Sequence, residues 1–90
     1  MSTYDPQLHT IRSVSRATAD PRMRSEIAGA RLALYTALDR GDATAARQWA
    51  RALRVALEVL HEDVGPASRL GAAVASALEA LGEIETGLRM

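Results

Sequence analysis

"PASRLGAAVASALEALGEIETGL", residues 66–88, carries Leu70, Val74, Ala77, Leu81, Ile84 and Leu88 at alternating spacings of four and three. That alternation holds apolar side chains on one side of an α-helix for almost three heptads, whereas a strand would scatter them over both faces. The chain is therefore read as helical from this stretch outward. Beside the seam runs a stripe of small residues, Ala67, Gly71, Ala75 and Gly82. It suits tight packing inside a bundle, and it also suits a self-association face, for which Gly71, Ala75 and Gly82 are the candidate residues.

Punctuation upstream of the seam divides the rest of the chain. Gly65-Pro66 separates the last helix from the one before it, Gly41 stops an earlier helix with Asp42 as the next N-cap, and Asp20-Pro21 reads as N-cap and first helical residue. The spacing predicts an all-α fold: a compact bundle of three long antiparallel helices near 21–40, 43–63 and 66–88. Residues 20–90 form the bundle domain, preceded by residues 1–19. In that leading segment Leu8, Ile11 and Val14 recur at threefold spacing, so it reads either as a short fourth helix or, given its many Ser and Thr, as a frayed arm.

Composition agrees with helices. Of 90 residues, 18 are Ala and 11 are Leu, Phe is absent and aromatics number three, which suits helices that form readily. With no cysteine there is no disulfide, thiolate or Cys-based metal chemistry. The first ten residues, "MSTYDPQLHT", have neither a basic start nor an apolar stretch, and "LGAAVASAL" is far shorter than the ~20 residues of a membrane span. A soluble cytoplasmic protein without membrane association is expected.

Net charge is zero, yet residues 1–54 carry nine Arg against five acids, a balance of +4, and residues 55–90 carry two Arg against six acids, a balance of −4. Such polarity points to an acidic partner for the first half or to association of copies. Every basic residue is Arg.

The middle helix contains the single Trp, in "ARQWARALR", residues 46–54. At 100° per residue Trp49 falls inside the arc of Ala46, Ala50, Leu53, Ala56, Leu57 and Leu60, about 40° from its centre, so burial in the core is expected. Arg47, Arg51 and Arg54 fall on the opposite flank. Guanidinium groups at i, i+4 and i+7 can follow an acidic helix or a phosphate backbone, and the same row also describes a solvated face continued by Glu58. On the first long helix Arg31 intrudes among Ile27, Leu34, Tyr35 and Leu38, as Glu85 does among Leu78, Leu81 and Leu88. In an up-down-up bundle their heights differ by about 13 Å. Pairing of the two is then expected between molecules, with snorkelling to water as the alternative.

Residues 40–53, "RGDATAARQWARAL", resemble the turn and second helix of a tetratricopeptide repeat, with Gly41-Asp42 at the turn and Ala46 in the small-residue position. The resemblance implies a peptide-binding helical scaffold. It covers one hairpin: Leu53 stands where the family favours a small residue, the closing Pro is missing, and no second copy follows at the repeat length.

Catalytic chemistry has little foothold. Glu58 and His61 make one E-x-x-H, half of what a di-iron carboxylate bundle needs unless a dimer supplies the other. No nucleophile, base and orienting acid share a suggestive turn, so no catalytic residue, metal or cofactor is assigned and an enzyme is not expected. The reading is a small protein–protein interaction module, an adaptor, regulator or accessory subunit that self-associates or holds an acidic partner through Arg47, Arg51 and Arg54. The alternative is a nucleic-acid-binding regulator using the same row with help from Arg12 and Arg16.

Overall fold

The computed structural model describes residues 4–89, and among them the secondary structure is entirely helical. Four helices follow one another: α1 Asp5–Ala17, α2 Pro21–Asp39, α3 Ala43–Val64 and α4 Arg69–Arg89. Connections of three or four residues force successive helices to run antiparallel. α1 packs on α2 and α4, and α3 packs on α2 and α4. The result is an up-down-up-down ring with α1 across from α3 and α2 across from α4.

Local chemistry sets the boundaries. Asp20 accepts from the Arg22 amide at 3.0 Å with Pro21 opening α2, and Asp42 accepts from the Ala45 amide at 3.0 Å to open α3. Between them Gly41, at φ +71°, lets the Asp42 amide reach back to the Ala37 carbonyl at 2.9 Å and close α2. The last helix begins at Arg69 and not at Pro66, because Ser68 takes over the cap: its hydroxyl accepts from the Gly71 amide at 2.9 Å.

The leading segment forms a helix, and of residues 1–19 the first three lie outside the described residues. Its hydroxyls find acceptors, Thr10 donating to the Pro6 carbonyl, Ser13 to that of His9 and Ser15 to that of Arg24 on α2, while burial of its apolar side holds the helix in place. Leu8, Ile11 and Val14 of α1 enter one shared core with Ile27 and Leu34 of α2, Leu53 and Leu57 of α3, and Val74, Leu81 and Ile84 of α4. The seam of residues 66–88 is thus the α4 contribution to the core, with Leu70 and Leu88 only partly covered at its ends.

Candidate functional site

One surface differs from the rest of the bundle. Along the α2–α3 junction the facing residues are small, Gly29, Ala30 and Ala33 on one side and Ala45, Ala52 and Ala56 on the other, so nothing fills the furrow between the two helices. Its lower half is an open groove of about 530 Å³ running from Trp49 down to Met23 and Val59. A second recess continues past Trp49 toward Leu32 and Arg40. On the shoulders stand large apolar side chains in water: Leu32 is 60% exposed, Val55 57%, Val59 48% and Trp49 43%.

The exposure of Trp49 corrects the expectation that it is buried. The residues of α3 that enter the core, Ala46, Ala50, Leu53, Leu57 and Leu60, centre about 60° of helical rotation away from Trp49. The tryptophan therefore leans over the α2 edge instead of into the bundle. Among the described residues α3 packs on α2 and α4, and neither covers the outward strip of Ala52, Val55 and Val59.

The arginine row is divided by α4. Arg54 donates to Glu85 through Nε at 2.9 Å and through Nη2, and Glu58 lies 3.7 Å away. The hydrogen bond to Glu85, opposed by burial and aided by the charges of Glu85 and Glu58, raises the Arg54 guanidinium above its ordinary range. Arg47 donates to the Leu88 carbonyl at 3.2 Å, and Arg51 stands exposed. Glu85 is thus met within the chain by Arg54, while Arg31 sits across the ring and donates through Nε to the Leu8 carbonyl at 2.9 Å. Burial, then the charges of Arg12 and Arg16, push the Arg31 guanidinium below its ordinary range, with Tyr35 opposing them. This basic corner of Arg12, Arg16 and Arg31 forms because α1 is a helix packed on α2.

Of the small stripe, Gly71 is covered by its own chain, since a Cβ there would run into the Gly65 carbonyl. Gly82 lies under Arg54, 3.7 Å from where a Cβ would stand, and Ala75 is exposed. Among the described residues no three His, Asp or Glu side chains gather as metal ligands, and no helix is long and apolar enough to cross a membrane. No family model, curated protein or solved structure matches the chain. Residues 40–53 form the turn after α2 and the first half of α3, which borders the apolar groove.

Proposed function

We propose that the protein is a protein–protein interaction module, an adaptor, regulator or accessory subunit, that works by docking through its α2–α3 face. The observation that carries this reading is the row Leu32, Trp49, Val55 and Val59, held in water by a bundle whose core is otherwise filled. Covering a side chain of this kind is worth roughly 1.5–3 kcal/mol, and contiguous apolar patches on small soluble domains are characteristic of binding surfaces. A cytoplasmic location goes with this reading. The nucleic-acid alternative asks for a free row of guanidinium groups, and Arg54 is already held by Glu85 and Glu58.

A photo-crosslinking residue placed at Val55 tests the proposal in the producing cell. A covalent protein adduct from position 55, with none from the exposed Ser76 of α4, is the expected result. Absence of any adduct from position 55 overturns it.

A further inference from the structure

We propose that the occupant of the α2–α3 face is a second copy of the chain, docked antiparallel about a two-fold axis that passes beside Val55. The inference rests on the interaction reading above and names its partner. Two features of the face, one of shape and one of charge, are each asymmetric along α3, and both are matched by the same rotation.

Shape comes first. Trp49 is a knob about 9 Å from Val55 toward the start of α3, while the open groove reaches Met23 and Val59, the latter about 6 Å from Val55 in the other direction. A two-fold axis lying in the interface and perpendicular to the helices reverses height and keeps lateral position. It therefore places each Trp49 over the groove of the other copy, beside Met23 and Val59, with Val55 meeting Val55 at the centre.

Charge follows the same operator. On the flank of α3 away from α2, exposed Arg47 and Arg51 precede Val55 and exposed Glu58 and Glu62 follow it. After rotation Arg51 and the partner's Glu58 differ in height by about 1.5 Å, as do Arg47 and the partner's Glu62, all on one flank. A parallel arrangement, about an axis along the helices, would keep height and reverse lateral position, taking each Trp49 off the partner's groove and each arginine away from the glutamates of its own flank. The molecule measures 35 × 22 × 21 Å, so its 35 × 22 Å side bounds what a flat contact can cover at about 770 Å² in projection, and the dimer must use most of that side. A stable interface takes roughly 800 Å² from each partner.

Light scattering and sedimentation equilibrium on the full chain, with helicity checked by circular dichroism, test this directly. Wild type should have twice its 9.6 kDa chain mass, and Val55→Asp should weaken dimerisation at least tenfold while remaining helical. The decisive arm is a charge swap. Arg51→Glu alone sets Glu against Glu58 and Glu58→Arg alone sets Arg against Arg51, so each should dimerise at least several-fold more weakly than wild type. Mixed in equal amounts they should recover wild-type affinity as a heterodimer, because both pairings become opposite in sign. A mixture that recovers nothing, or a wild-type mass of one chain up to millimolar concentration, overturns the dimer. Should position 55 then still crosslink to a different protein, the interaction module stands without self-docking; should it crosslink to nothing, both fall.

Discussion

Arg54 and Trp49 sit five residues apart on α3, and each shows that helical phase alone does not decide what a side chain meets. Arg54 is a third exposed and reaches a quarter-exposed Glu85 on the neighbouring helix. A pair so placed is screened by solvent, and a double-mutant cycle of Arg54→Ala and Glu85→Ala should return a coupling of about 1 kcal/mol. Its arginine is raised in the folded state, so that contribution is complete below the unfolded guanidinium range and is lost only as pH climbs past it. Between neutral and mildly alkaline pH the coupling should not change. Trp49 gives the opposite contrast with its neighbour in the core. Leu53→Ala, at a fully buried position, should cost roughly 2–5 kcal/mol in a urea melt of dilute protein. Trp49→Ala, although it removes far more atoms, should cost under about 1 kcal/mol under the same dilute conditions. Equal costs would mean that the tryptophan supports the fold after all.

At the scale of helices, the caps were legible because each is a short-range bargain between adjacent residues: Asp20, Gly41 and Asp42 end and begin helices by bonds that span five residues or fewer. The α4 seam was legible for the same reason, since four of its six residues need only helical geometry to align and the core to receive them. What could not be read was the number of neighbours. Residues 1–19 are compatible with a helix or an arm, and an apolar arc of α3 drawn to include Ala56 beside Ala46, Ala50, Leu53, Leu57 and Leu60 brings Trp49 within about 40° of its centre, which is why burial is expected of it. In the structure the core-facing residues of α3 leave out Ala56 and centre about 60° from Trp49, and α2 and α4 leave the outer strip of α3 uncovered. The candidate site was therefore legible only on its charged flank, Arg47 and Arg51, and not along its apolar floor. The packing of α1 has its own consequence. Because Ile11 shares one core with the other helices, Ile11→Ala should lower stability by roughly 2–4 kcal/mol within a single cooperative transition. An arm merely lying on a three-helix domain would instead melt in a separate, earlier step.

For the molecule as a whole, filled core and uncovered face make different demands on the same kind of substitution. The radius of gyration is 12.2 Å, what a compact domain of about this length has. Leu81, fully buried at the centre of α4, tolerates no charge: Leu81→Asp places an unpaired carboxylate in the core and should abolish the cooperative transition at every protein concentration. Val55→Asp sets its carboxylate in water on the outside of α3 and should leave the single chain folded. If association adds to that folding, the two must be linked by mass action, because only the folded chain presents the face. The wild-type Tm should then rise with protein concentration, by an amount corresponding to about 1.5 kcal/mol per chain where the total chain concentration exceeds the dimer Kd a hundredfold, because dimerisation depletes the free chain. The Val55→Asp Tm should stay constant over the same range and equal the dilute wild-type value. A wild-type Tm independent of concentration, with Leu81→Asp unfolded, would assign all of the stability to the core and none to the face.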